Sequence, residues 1–223
     1  MINDRLDEEQ YFHDKRFSEG HDERCIAKKY YVVRKGLRKR YNSILSQLCN
    51  KKKVLEYGCG SGTGSKRLLN FGAILTGIDI SSEGIQAAKK SEPNAEYLIM
   101  NAEQTEFKDE SFDVIVGLGI IHHLDLNKAY NEIFRILKKN GHAVFEEPLG
   151  HNPFINFYRA LTPSMRTSSE HPLKQKDIAL LKKYFHSVHV EYFSLVTILS
   201  VPFRNTRFFE RLYDRCPCKK SRN

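Results

Sequence analysis

Short apolar runs alternate with longer stretches in which apolar positions recur every three to four residues. Val54-Leu55, Ile74-Leu75, Tyr97-Leu98-Ile99, Val114-Ile115-Val116 and Ala143-Val144-Phe145 are the runs. They predict strands over 53–57, 74–79, 96–100, 112–117 and 142–147, with a further one over 187–194. Helices are predicted between them, near 63–70, 82–90, 125–139 and 174–184. In the third of these, Ala129, Ile133, Ile136 and Leu137 form one stripe able to pack on a sheet, and Gly141 is expected to stop the helix. Ser81 or Ser82 can cap the helix over 82–90, and Glu83 suits its N-terminal dipole. Upstream, residues 1–22 are polar around an aromatic insert, Tyr11-Phe12-His13-Asp14, and 23–48 read as one or two helices. From Lys53 onward the alternation predicts a doubly wound α/β sheet.

Composition narrows this to one domain. A chain of 223 residues with 40% hydrophobic and 28% charged residues can bury a full core and reads as soluble and globular. No apolar run approaches the roughly 20 residues of a membrane span. The acidic, polar stretch Met1–Gln10 is neither a secretory signal nor a transit peptide. Five cysteines without staple-like spacing suit a reducing, cytoplasmic setting, and the Cys216-x-Cys218 pair lacks a partner pair for a metal site. The net charge of +9 is spread over short groups such as Arg34–Arg40, Lys51–Lys53 and Lys219–Arg222. Such groups make either a solvated basic surface or a field that draws in an anionic partner, and composition does not separate the two.

Residues 54–64 read V-L-E-Y-G-C-G-S-G-T-G: a buried strand, an acid, then glycines on alternate positions. Glycines there permit positive φ and let a ligand touch backbone. A dinucleotide fingerprint starting at Gly58 and Gly60 needs its third glycine at position 63, which is Thr63. The pattern E-x-G-x-G-x-G resembles instead the first motif of the class I S-adenosylmethionine (SAM)-dependent methyltransferases. That resemblance implies that Glu56 helps hold the amino end of the methionine moiety, with Gly58, Cys59, Gly60 and Gly62 lining it; Cys59 reads as a small filler. Asp79 ends the second strand about 20 residues on, where a carboxylate can accept from both ribose hydroxyls or serve as a turn residue before the cap. Ile80 beside it can pack on adenine.

The third strand ends in Asn101-Ala102-Glu103, and the family usually has Asp at the first of these positions. An amide oxygen can still accept from the adenine amine. The segment after strand four also resembles the family, which implies that Gly117 and Leu118 lie against methionine and that His122-His123 open the next helix. Arg135–Gly141 is similar to its R-x-L-K-P-G-G turn, with Asn140 at the usual proline. Together these matches run from about residue 53 to 148 in the family's order. They imply SAM as cofactor and a three-layer, Rossmann-like α/β/α fold with a mostly parallel sheet of six to seven strands.

Methyl transfer asks the protein to place a nucleophile and exclude water, with a base only for an acceptor that keeps its proton. His122 is the candidate to face the acceptor. Related quinone-precursor enzymes bind a metal with acids near this segment; Gly119 and Ile120 stand here, so no metal is expected. Residues 146–173 resemble a bacterial subgroup of the type 11 kind that carries E-P-L-x-H-N-P, then Y-R, R-T and E-H-P-L. Within this insertion His151, Asn152, Tyr158, Arg159, Arg166 and His171 can bind substrate, the arginines gripping a carboxylate through paired donors. The competing reading is that Arg–Glu pairs only pin the insertion, and that Glu147-Pro148 is a strand-end turn. Tyr11–Asp14 is similar to an F-H-D element of the same subgroup, which reads either as a lid over the cofactor from which His13 can reach the acceptor or as a plain hydrophobic anchor for the N-terminal helix.

The layout expected is one domain: N-terminal lid and helices over 1–50, a SAM-binding core over 51–148, a substrate insertion over 149–173 and a C-terminal part over 174–223. The last strand of the fold looks missing or replaced by 194–201, as in a piece of a longer, bifunctional chain. The expected function is methylation of a small molecule or short peptide, on oxygen of a carboxylate-bearing acceptor, with N- or C-methylation as the alternative. A nucleic-acid methyltransferase would need a D/N-P-P-Y/F segment or a cysteine where Gly117–Ile120 stand. A non-catalytic SAM-binding partner subunit is the remaining reading.

Overall fold

A computed structural model describes residues 4–18, 35–151, 156, 159–160, 167, 170–193 and 219–220. The described residues fall into two compact units. The first is drawn from Met1–His21 and Leu45–His186, the second from Asp22–Ile44 and Ser187–Asn223.

In the first unit, α1 (Asp4–Ser18) precedes the end of α2 (Lys35–Leu48), and the strand–helix alternation follows. It comprises β1 (Lys53–Tyr57), α3 (Ser65–Asn70), β2 (Ile74–Asp79), α4 (Ser82–Ser91), β3 (Glu96–Ile99), β4 (Phe112–Leu118), α5 (Leu126–Ile136), β5 (Leu137–Glu146) and α6 (Gln175–Leu181). The five strands are all parallel in the order β3-β2-β1-β4-β5. Chain direction reverses its winding between β1 and β4, and that switch point opens the crevice in which such folds bind ligands. β1 is apolar on both faces because helices cover both: Val54, Leu55 and Tyr57 are fully buried. Leu55, Ile78 and Ile115 pack with Ala129, Ile133 and Ile136 of α5, so the predicted stripe is the helix face that meets the sheet. Each of these leucine and isoleucine side chains contributes about 1.5–3 kcal/mol by leaving water. Ser81 caps α4, its hydroxyl accepting from Gly84 N at 3.0 Å.

The strand count and one boundary differ from expectation. The sheet has five strands among the described residues, and β6 (Glu191–Tyr192) lies in the second unit, antiparallel to β7 (Lys219–Lys220). There Arg40 of α2 clasps Glu191 through Nε at 3.0 Å and Nη2 at 2.7 Å. Gly141 does not stop the helix. α5 ends at Ile136, and Leu137 already pairs with Phe112, so Lys138, Lys139, Asn140 and Gly141 belong to β5. Lys138 Nζ bonds Asp113 Oδ1 at 2.9 Å beside that pairing, and it is the pairing with β4 that overrides local helix propensity here. The segments over 23–34, 194–201 and 205–215 lie outside the described residues.

Candidate active site

The glycine loop sits at the carboxyl end of the central strand. Gly58, Gly60 and Gly62 have φ of +67°, +50° and +76°, a region that disfavours side chains. A Cβ on Gly62 would also lie 3.1 Å from Ala88 Cα, so the neighbouring helix would have to give by a few tenths of an ångström to take one. Glu56, next to last in β1, is almost fully buried, and Ser65 Oγ donates to its Oε2 at 2.5 Å. Burial pushes its carboxyl up to about 7, against the Ser65 hydrogen bond and the Arg67 charge. A Cβ on Gly64 would clash with Glu56 Oε1, so that position keeps the carboxylate's space open. A buried acid beside bare backbone fits an ammonium-bearing ligand such as the methionine end of SAM. Cys59 packs with Ile85, Ala88 and Tyr97, and burial pushes its thiol well above the usual range, which makes it the inert filler expected.

The other strand ends converge on this loop. Asp79 accepts from Gly60 N at 2.8 Å through Oδ2 and from Ser81 N at 2.9 Å through Oδ1. It thus braces both the loop and the start of α4, and its remaining lone pairs suffice for hydroxyl donors. Ile80 beside it is half-buried. Asn101 Oδ1 accepts from Glu103 N at 2.9 Å, and the Ala102 carbonyl accepts from the buried Tyr57 hydroxyl. Glu103 Oε1 accepts from Asp125 N at 2.8 Å and from the Arg5 guanidinium, so it ties two segments to the end of the third strand. Gly117 is buried at the end of β4, and Leu118 next to it is 40% exposed.

A cluster of acids and histidines follows β4. The chain enters a single 3-10 turn, Ile121–His123, which buries both His122 and His123. Glu147, just past β5, organises this turn. Its Oε1 accepts from Ile120 N at 3.0 Å and Ile121 N at 2.9 Å, and its Oε2 lies 2.7 Å from His122 Nδ1. On the other side of the ring, His122 Nε2 lies 3.7 Å from Glu170 Oε1, which Arg159 Nη1 holds at 2.7 Å. Leu149 bridges Leu173 in parallel, and His171 N donates to His122 O at 2.9 Å, so this return segment closes over the turn.

Glu147, which reads from the sequence as a strand-end turn, stands at the centre of this cluster. It had the same signal as Glu56 and Asp79, an acid at the carboxyl end of a parallel strand. Among the predicted substrate residues, Arg159 reaches the cluster, whereas the side chains of His151 and His171 are exposed. Asn152, Tyr158 and Arg166 lie outside the described residues.

Helix α1 spans these strand ends. Arg5 donates to His123 O at 2.9 Å, and Asp14 accepts from Ser81 Oγ at 2.6 Å and Glu83 N at 3.2 Å. Phe17 lies against Gly60 and Gly84, where a Cβ would meet its ring at 2.9 and 3.0 Å. His13 faces inward, its ring 5.6 Å from that of His123 and its Nε2 3.6 Å from Glu9 Oε2.

Comparison with known proteins agrees with this geometry. Residues 55–145 match the family model described as a methyltransferase domain. The chain is 36% identical over 99 residues to a demethylmenaquinone methyltransferase of Chlorobaculum tepidum, covering 44% of this chain and 41% of that protein. It is 35% identical over 94 residues to a ubiquinone biosynthesis O-methyltransferase of Pelagibacter ubique, covering 40% and 39%. The matched part thus spans 41% and 39% of the length of these curated relatives. A solved SAM-dependent methyltransferase from Methanosarcina mazei aligns with a TM-score of 0.52 at 28% identity, over 60% of this chain and 78% of that one. A Thermotoga maritima structure, described as a SAM-dependent methyltransferase and possible histamine N-methyltransferase, reaches a TM-score of 0.65 over 96% and 93%. At 17% identity that second likeness is one of fold alone. These matches liken residues 55–145 to a methyltransferase domain of the class I fold, with SAM as the cofactor.

Proposed function

We propose that this protein is a methyltransferase that moves the methyl group of SAM to an oxygen of a small, carboxylate-bearing molecule. When bound, SAM supplies a methyl group already activated on a sulfonium, so the protein's tasks are placement, exclusion of water and handling of a proton. The observation that carries the reading is the His122–Glu147 pair at the end of β4. A Glu147 carboxylate at 2.7 Å favours the tautomer with its proton on Nδ1, which leaves Nε2 as the acceptor. His122 Nε2 can therefore hold the acceptor hydroxyl and take its proton as the new oxygen–carbon bond forms.

Arg159 supports the anionic class. It now clasps Glu170, and a substrate carboxylate would take Glu170's place on the guanidinium. Turn segment and return segment bury the pair, which keeps water from the reacting oxygen. Both quoted relatives are named for quinone-pathway methylation, so ring hydroxyls belong in the acceptor panel.

The test is the purified full chain with SAM and matched carboxylic acids, phenols and amines, read by S-adenosylhomocysteine release and product mass. Oxygen methylation of acids bearing a carboxylate is expected. Exclusive methylation of amines, or none of any acceptor, would overturn the proposal. His122→Ala should lower kcat by about 10²–10⁴-fold while SAM still binds. Glu147→Gln should fall in the same direction by a smaller factor.

A further inference from the structure

We propose that Glu9, His13 and His123 form a site for one divalent first-row transition-metal ion. Glu9 and His13 are four residues apart on α1 and so share a face of the helix. His123 reaches them from the turn after β4. Glu9 Oε2 lies 3.2 Å from His123 Nδ1 and 3.6 Å from His13 Nε2, and the three donor atoms lie within 4.8 Å of one another. Donors that share an ion at bond lengths of about 2.0–2.2 Å stand about 3.0–3.5 Å apart, so a small closing movement completes the set.

Chemistry selects the ion. Two imidazoles and one carboxylate suit zinc, iron, cobalt or manganese, whereas magnesium and calcium prefer all-oxygen sites. The surroundings are those of a supported ligand set. Thr167 Oγ1 donates to the second oxygen of Glu9 at 2.5 Å, which fixes the carboxylate behind the site. Glu9 and His123 side chains are 6% and 10% exposed and His13 is 20% exposed, so the site is dry on two sides and open on one. Three protein ligands leave at least one coordination position for water or an oxygen of a bound molecule.

A second group, His122, His123 and Glu170, also brings donors within reach of one another. It is the poorer site, because Glu170 already bears the Arg159 cation and His122 is held by Glu147. The sequence pointed away from a metal because Gly119 and Ile120 offer no ligand. The ligands come instead from α1, 110 or more residues away in the chain. His13, which reads from sequence as an acceptor-facing group, becomes a ligand that ties the helix to the carboxyl end of β4.

The test uses tag-free full-length protein, stripped with a chelator and titrated with Co²⁺, whose visible bands report nitrogen and oxygen ligation. One equivalent is expected to bind, to raise Tm by an amount that grows with the logarithm of free Co²⁺ over Kd, and to show no thiolate charge-transfer band. His13→Asn and Glu9→Gln should each weaken Co²⁺ binding by at least about tenfold. His13→Asn is the principal variant because its position is partly exposed; far-ultraviolet circular dichroism and SAM binding verify its fold. No bound Co²⁺, binding unchanged in His13→Asn, or a thiolate band that assigns the ion to Cys216 and Cys218 would overturn the site.

Discussion

Burial raises the Glu56 carboxyl from 4.5 to about 7, with the Asp79 charge adding to the rise and Ser65 and Arg67 opposing it. Between these values the folded protein holds a proton that the unfolded chain has lost. Stability from this group is therefore complete below about pH 4.5 and is lost as pH climbs through about 7, a span worth on the order of 3 kcal/mol. Cofactor binding has the opposite preference, because an ammonium needs the ionised carboxylate. SAM affinity should accordingly rise with pH between about 5 and 7. Binding in that window should expel a proton from Glu56, visible by calorimetry in two buffers of different ionisation enthalpy. In Glu56→Gln both the pH dependence and the proton release should vanish. If they persist, another group is titrating. The acid itself was legible in the sequence as the end of a strand before glycines. Its partner Ser65 and its burial were not, because they depend on how α3 packs back on β1.

Helix α1 illustrates what an element gains from tertiary contacts. Its sequence is polar and contains no good apolar stripe, so it is held by separate anchors along its length: Arg5 at one end, Glu9 against Thr167 and His123 in the middle, Asp14 and Phe17 at the other end. Asp14→Ala removes an acceptor from the first turn of α4 and should cost about 0.5–2 kcal/mol of local stability. Amide exchange should accelerate over residues 4–18 and the first turn of α4 while β1, β2 and β4 keep their protection. Uniform acceleration across the sheet would show that α1 is part of the global folding unit and not a separately opening cover. The pattern of aromatic residues marked this segment as a contact region. It could not reveal that Asp14 caps another helix. The α5–β5 boundary was misread for a related reason, since Lys138–Gly141 look like a helix end until Phe112 and Val114 of β4 pair beside them.

For the whole molecule, the charge of +9 acts at long range and the site acts at contact. No helix among the described residues is long and apolar enough to cross a membrane. The excess of lysine and arginine should bind polyanions without sequence preference, in a manner that weakens steeply between low and physiological salt. Methyl transfer to a small acceptor should be unaffected by added RNA at about 0.15 M salt, where fields are screened beyond roughly 8 Å. Stimulation of turnover by RNA under those conditions would instead point to a nucleic-acid acceptor and defeat the small-molecule reading.

The sequence by itself determined the five strand cores, the glycine loop, Asp79 and the Ser81 cap, because each rests on local rules. Side-chain periodicity is fixed by backbone repeat, positive φ by the absence of Cβ, and capping by the first few residues of a helix. Tertiary structure decided the rest. Glu147, His122, Glu170 and Arg159 meet from three separate stretches of chain, and Glu9 reaches His123 across 114 positions. No local rule ranks one such convergence above another. It exists because a parallel sheet brings the ends of all its strands to a single edge, where charged groups too costly to bury alone are buried in mutual contact.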